Sequence, residues 1–237
     1  MKVFFSGILF FVFLFISNGI CQKSNVDKGS NYAILKTVEN LTPSDYTHLL
    51  DSLKRTGSTN YLKLRLAFTT TKNYNPLSNA YETSIKEAFQ YYTIGNYKEA
   101  IKVLDELLKT NYVNIQAHLA LSNIYQKLKD SVNFKMHHNI YSNLLKSIIA
   151  SGNGQSAKTA FIVINVEEES SLLKSFNWQV KGQNPTSFDG YKFDILTVLN
   201  KKDGKDYNIF FNIDLLLGAA KKMAGSKEEI KEFNQGK

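Results

Sequence analysis

The chain has 237 residues, of which 43% are hydrophobic and 21% charged, and its formal net charge is +8. Those values exclude wholesale disorder, a collagen-like chain and a polytopic membrane protein, and they suit one large domain or two small ones. With a single cysteine, neither a disulfide framework nor a Cys-based zinc cluster can form.

The chain begins with Lys2 and an apolar run, Val3–Ile16, followed by Ser17 and Asn18. A run of that length is a signal-peptide core, short of the roughly 20 residues a helix needs to span a bilayer. Gly19 and Cys21 suit the positions three and one before a cut, which makes residues 1–21 a signal peptide and Gln22 the mature terminus; a cut after Gly19 is also allowed. Lipidation of Cys21 would need a large aliphatic residue at position 18 and a small one at position 20, where Asn18 and Ile20 stand. The expected product is periplasmic or extracellular, with no transmembrane anchor after cleavage.

Residues 22–41 lack periodicity and read as a flexible leader. Thr42, Pro43 and Asp45 then form a helix start, with Thr42 as N-cap and Pro43 where no N–H is needed; the helix runs to about Arg55 and Gly57 stops it. Tyr61–Thr71 alternates like a strand at Leu62, Leu64, Leu66 and Phe68. Tyr61, Leu64, Arg65 and Phe68 also share one helical face, and we read the segment as helix.

Between residues 79 and 150 the helical signals are stronger. Asn79 with Glu82, and Asn96 with Glu99, have capping-box spacing, and Gly95 closes the first helix. Ala100, Ile101, Leu104, Leu107 and Leu108 form one buried stripe, and helices over about Val113–Leu128 and Val132–Ala150 follow. A tetratricopeptide pattern centred on Ala100 expects a small residue at Ala88 and an aromatic at Tyr91; a 34-residue period brings Ser122 and Tyr125 under them. The second copy is degenerate, with Phe134 in place of the crossing alanine and His118 in place of the usual tryptophan. Two repeats cannot bury a continuous core, so the helices before residue 72 and the module after residue 155 are expected to cap the two ends.

After Gly154 the period changes to two. Strands are expected over Thr159–Val166, Trp178–Lys181, Tyr191–Leu199 and Tyr207–Ile213, the last entered through an Asp203–Gly204 turn. A short helix fits Glu167–Phe176, and a last helix, Asp214 to about Met223, precedes a polar tail. The fold class is therefore α+β: a helical, tetratricopeptide-like region over residues 42–151, an antiparallel β module with short helices over 152–224, and a tail over 225–237.

Few motifs carry chemistry. Bases and acids interleave along the chain, which speaks for a solvated surface and against a nucleic-acid partner. Gly152, Gly154 and Ala157 spell a dinucleotide-like pattern, but they follow a helix and precede a strand, the reverse of the required order. His137 and His138 are about 100° apart on a helix and cannot share a metal; His48 and His118 are distant in sequence, so no metal site is expected and the histidines read as surface or half-buried. Glu167, Glu168 and Glu169 match the positive end of a helix dipole. Asn40-Leu41-Thr42 is a glycosylation sequon of interest only in a eukaryotic secretory pathway. No catalytic residue, cofactor or metal ligand is assigned.

The connector Thr69–Pro76 combines a cation, an aromatic and amides; its Lys72, Asn73, Tyr74 and Asn75 are binding candidates, with a hydrogen-bonded corner as the competing reading.

Leu64-Arg65-Leu66-Ala67-Phe68 leading to Thr71-Lys72-Asn73-Tyr74-Asn75-Pro76, the loop Gly152–Ser156 before Thr159-Ala160-Phe161, Glu167-Glu168, Tyr191–Asp194 and Phe210–Ile213 together resemble an exported family of the Bacteroidetes, domain of unknown function 4919. The resemblance covers nearly all of the mature chain and implies a cleaved signal, a helical half and a β half. The family pattern carries Asp where this chain has Asn212, which argues against an essential carboxylate there. The expected function is a non-enzymatic envelope module that binds a protein, peptide or cell-surface ligand. The alternative is a small hydrolase or transferase with a site where the halves meet, built from Arg65, Glu168 or Asp194.

Overall fold

The computed structural model describes residues 31–235; the expected signal peptide lies outside them. Helix α1 (Asn31–Val38) occupies the end of the stretch read as leader, and Asn31 ties it down by donating to the carbonyls of Ala157 and Ala160. Helix α2 (Pro43–Thr56) opens with the capping box expected of Thr42 and Asp45 and ends at Gly57 with φ +72°. Helix α3 (Tyr61–Phe68) resolves the helix–strand ambiguity in favour of helix, capped by Asn60.

Two antiparallel hairpins follow: α4 (Ala80–Thr93) with α5 (Tyr97–Thr110), and α6 (Ile115–Lys127) with α7 (Ser131–Ile149). Asn79 is not the cap its spacing suggests. Its own backbone is helical, its side chain makes no capping bond, and Ser78 Oγ instead accepts the Ala80 N–H. The two hairpin turns match at the 34-residue offset. The N–H of Asn96 bonds to the carbonyl of Tyr91, and that of Asp130 to the carbonyl of Tyr125, each at 2.9 Å. Gly95 and Lys129 both take positive φ, +76° and +58°, and Asn96 and Asp130 both cap the next helix.

The β half is a four-stranded mixed sheet, not a purely antiparallel one. Strands β1 (Phe161–Ile162), β2 (Trp178–Phe188), β3 (Tyr191–Asn200) and β4 (Lys205–Asn212) lie in the order β1-β4-β3-β2, with β1 parallel to β4. The apolar run Thr159–Val166 supplies only two paired residues, and the short strand expected at Trp178–Lys181 is far longer. Strand β2 lies at the sheet edge, where a bulge between Val180 and Gly182 and the missing N–H of Pro185 are tolerated. The turn into β3 is Asp189-Gly190, both at positive φ, as a two-residue hairpin requires.

Helix α8 (Val166–Ser175) joins β1 to β2, and α9 (Asp214–Gln235) continues through the segment read as a polar tail. Gly225 does not stop α9, and the Lys- and Glu-rich sequence beyond it has high helix propensity.

Two apolar clusters form the interior. One joins Ala88, Ala100, Leu104 and Leu121 of the helical hairpins. The other joins Leu64, Leu66 and Phe68 of α3 to Leu144 and Ile148 of α7, Leu172 of α8, and Leu196 and Phe211 of the sheet. The helices before residue 72 and the β module therefore share one core, instead of capping opposite ends. Gly154 lies against the sheet: a Cβ there would stand 2.5 Å from the Phe161 ring, and its carbonyl accepts the Phe210 N–H. Asn153 and Gly154 both spend their N–H groups on the Thr159 carbonyl, so the glycine loop is a connector.

Candidate functional site

The two-residue strand β1 pairs with β4 on one side only, so its other edge needs donors and acceptors from elsewhere. Side chains from distant parts of the chain provide them. Ser151 Oγ accepts the Ile162 N–H at 2.8 Å, and Arg65 Nη1 donates to the Ile162 carbonyl at 3.0 Å. Glu168 Oε2 accepts the Ile164 N–H at 2.9 Å, and the Tyr74 hydroxyl donates to the Ile164 carbonyl at 2.7 Å. Arg65 and Glu168, both buried, also pair with each other at 2.7 Å, while Arg65 Nε donates to Ser147 Oγ on α7. Burial works against ionisation of Glu168; the Arg65 guanidinium and the Ile164 N–H work for it.

Two of the three junction candidates thus meet, and the third does not join them. Asp194, on β3, accepts from Gln183 Nε2 at 2.8 Å and belongs to the environment of Glu169. Burial, together with the charges of Asp194, Glu168 and Glu167, pushes the Glu169 carboxyl up to about 8. The glutamate run is more than a match to the helix dipole: Glu168 and Glu169 are both buried, and Asn165 supplies the cap of α8 by accepting the Glu168 N–H.

The connector after α3 is largely a hydrogen-bonded corner. Thr69, Thr70 and Thr71 donate their hydroxyls to the last carbonyls of α3, and Asn75 Oδ1 accepts the Leu77 N–H. Tyr74 is buried at 6% exposure, its ring edge-on to Phe68 at 5.7 Å, so it is not the exposed aromatic the composition suggested. Lys72 and Asn73 are exposed and Asn75 is half-buried.

Beside this corner lies a small cleft. Tyr74, Asn75, Pro76 and Ser78 form one wall, with Phe68 beneath, and Tyr81 of α4 stands next to them. Asn111, at the end of α5, and Asn165 and Glu167, at the start of α8, complete the lining. Asn111 is 1% exposed, yet its Oδ1 has no hydrogen-bond partner, a costly state for a buried acceptor. The Tyr81 hydroxyl donates to the Asn73 carbonyl at 2.8 Å. Nothing local in the sequence marks Asn111 as part of this group; it reaches the cleft because it stands between α5 and α6, and α6 packs against α8.

Sequence spacing also hid a histidine pair. His118 and His137 face each other across the α6–α7 hairpin, Nδ1 to Nδ1 at 3.0 Å, and His118 Nε2 lies 2.9 Å from the Tyr112 carbonyl. A carbonyl only accepts, so Nε2 of His118 carries its proton and its Nδ1 accepts from His137. Both rings are buried, against the expectation of surface or half-buried histidines, and burial pushes His118 down to about 3 and His137 to about 4. The positions, ten before and nine after Leu128, are opposite one another in an antiparallel hairpin turning there, a signal the sequence does contain. Among the described residues no group of three or more His, Cys, Asp or Glu side chains could hold a metal.

The family model described as domain of unknown function (DUF4919) matches residues 32–222, and the chain belongs to that family. No curated protein and no solved structure matches it.

Proposed function

We propose that this member of the DUF4919 family is an exported, non-enzymatic binding module, and that its ligand seats in the cleft between the connector Tyr74–Ser78 and the start of α8. The observation that carries the reading is Asn111: a residue that lines the cleft beside aromatic rings, amides and a carboxylate, and whose buried amide oxygen has no protein partner. Export is supported by the apolar run Val3–Ile16, too short for a membrane span. The matched turns at the 34-residue offset support a tetratricopeptide-like scaffold, which presents the α4–α5 end of the cleft. Arg65 Nη1 and Glu168 Oε2 bond to each other and to the backbone of Ile162 and Ile164, with Arg65 Nη2 and Glu168 Oε1 left without a partner; the pair is buried and Asp194 stands apart from it, which favours binding over a hydrolase or transferase at the junction.

The test compares what co-purifies with the natively exported protein and with a Ser78→Trp variant, whose indole fills the mouth of the cleft. The expected result is loss of the enriched partner with the melting temperature lowered by only a few degrees, the cost of the lost bond from the Ala80 N–H to Ser78 Oγ. A folded Ser78→Trp protein that retains every partner refutes the cleft as the site. Replacing Lys72 and Asn73 with alanine, both exposed, asks in the same assay whether the outer rim takes part.

A further inference from the structure

We infer that the group recognised in this cleft is a primary ammonium, as carried by a lysine side chain or a peptide amino terminus; the inference rests on the cleft being the ligand site. The buried Asn111 Oδ1 can only accept, so whatever satisfies it must be a donor. Glu167, at the mouth, forms no ion pair with any described residue. No lysine or arginine lines the cleft, although the chain as a whole carries a net charge of +8. Locally, then, the field favours a cation on a protein that is otherwise basic. The positive end of the α8 dipole opposes this, and of the acids in its first turn Glu168 is paired with Arg65 and Glu169 is held neutral by burial, which leaves Glu167 to meet it.

The remaining groups match an ammonium at the end of a chain. Phe68, Tyr74 and Tyr81 line the cleft, an aromatic surrounding that attracts a cation. The Tyr81 hydroxyl donates its hydrogen bond to the Asn73 carbonyl and keeps its lone pairs for a donor. Asn75 and Asn165 have spent their side-chain oxygens on the N–H groups of Leu77 and Glu168, which leaves their NH2 groups for carbonyls flanking the ammonium. Space beneath the rim suits one water-sized group, so the ligand inserts a head and leaves its body outside.

Calorimetric titration of the purified protein with four probes tests this: Nα-acetyl-lysine N-methylamide, its norleucine and 6-hydroxynorleucine analogues, and alaninamide. The lysine probe should bind at least about tenfold more tightly than either analogue, the loss expected when a charge-assisted hydrogen bond is removed. Glu167→Gln should weaken it roughly three- to tenfold and reduce its salt dependence, and Ser78→Trp should abolish it. Binding of alaninamide in competition with the lysine probe assigns the source to a peptide amino terminus; exclusive binding of the lysine probe assigns it to a side chain. Equal binding of the hydroxyl analogue overturns the ammonium and leaves the cleft as a site for neutral hydroxyls. If every probe fails while Ser78→Trp still loses its native partner, the ammonium is again wrong and the cleft stands. If every probe fails and Ser78→Trp keeps its partners, Asn111 merely holds a structural water and both readings fall.

Discussion

Removing one partner of the Arg65–Glu168 pair should be far more damaging than removing both. Arg65 is fully buried and Glu168 nearly so, and their contact is 2.7 Å. Glu168→Gln strands a guanidinium that cannot lose its proton at any accessible pH, and such an uncompensated buried charge costs about 3–5 kcal/mol. Arg65→Met strands the carboxylate at a similar cost, but that carboxylate can neutralise itself by protonation, so this penalty should shrink as pH falls while that of Glu168→Gln should not. At roughly 2–4 °C per kcal/mol for a chain of this size, either single change should lower the melting temperature at pH 7 by about 6–20 °C. In the double variant no charge remains and the glutamine oxygen still accepts the Ile164 N–H. The main loss is the donor to the Ile162 carbonyl, about 1–3 kcal/mol. A double-mutant cycle by urea denaturation at pH 7 and pH 5 measures all of this. Additive penalties would show that the two residues act independently, and a near-neutral Glu168→Gln would show that the carboxyl is already uncharged in the wild type.

Two further expectations concern the scaffold and its titration. Ala100 has no exposed surface where α4, α5 and α6 meet, so Ala100→Leu should cost about 1–3 kcal/mol by overpacking, whereas Lys102→Leu, on a side chain 71% exposed, should stay within about 0.5 kcal/mol; equal shifts in thermal melting would misplace the hairpin core. Glu169, raised from 4.5 to about 8, is a neutral acid whose stabilisation is complete below pH 4.5 and is lost as pH rises through 8, so Glu169→Gln should gain roughly 3 kcal/mol on the wild type between pH 4.5 and pH 7; parallel stability curves would remove Glu169 from the pH response.

Tyr74 shows why the candidate site was only half legible. Its neighbours in sequence, Lys72, Asn73 and Asn75, have the composition of an exposed recognition loop, and nothing within four residues announces the Ile164 carbonyl to which its hydroxyl is bonded. Arg65, Glu168 and Asp194 are the ionisable residues the sequence offers for a junction site, and the structure brings the first two into contact across 103 positions. Their role as substitutes for a missing strand beside β1 depends on that strand being two residues long. Asn111 carried no signal at all, since an asparagine ending a helix reads as an ordinary cap.

What the sequence determined by itself was local in its physics. The Thr42–Asp45 box, the Gly57 and Gly95 stops, the Asn96 cap and the 34-residue echo of the hairpin turns all depend on groups three to five positions apart, so one stretch of chain contains cause and effect together. The same holds for the alternation along Tyr191–Leu199, which needs only a pleat with one buried face. Tertiary structure decided how the apolar run Thr159–Val166 was used, because pairing requires a free edge and only Phe161 and Ile162 are in register with β4, with one further bond from the Val163 N–H to the Asn212 carbonyl. It decided the length of β2 as well, since Gly182 and Pro185 are tolerable only on an edge whose outward groups need no partner. It also decided which polar groups were buried together, His118 with His137 and Arg65 with Glu168: the cost of burying them is set by partners that exist only once α3, α7 and α8 have docked around β1 and α6 has closed on α7.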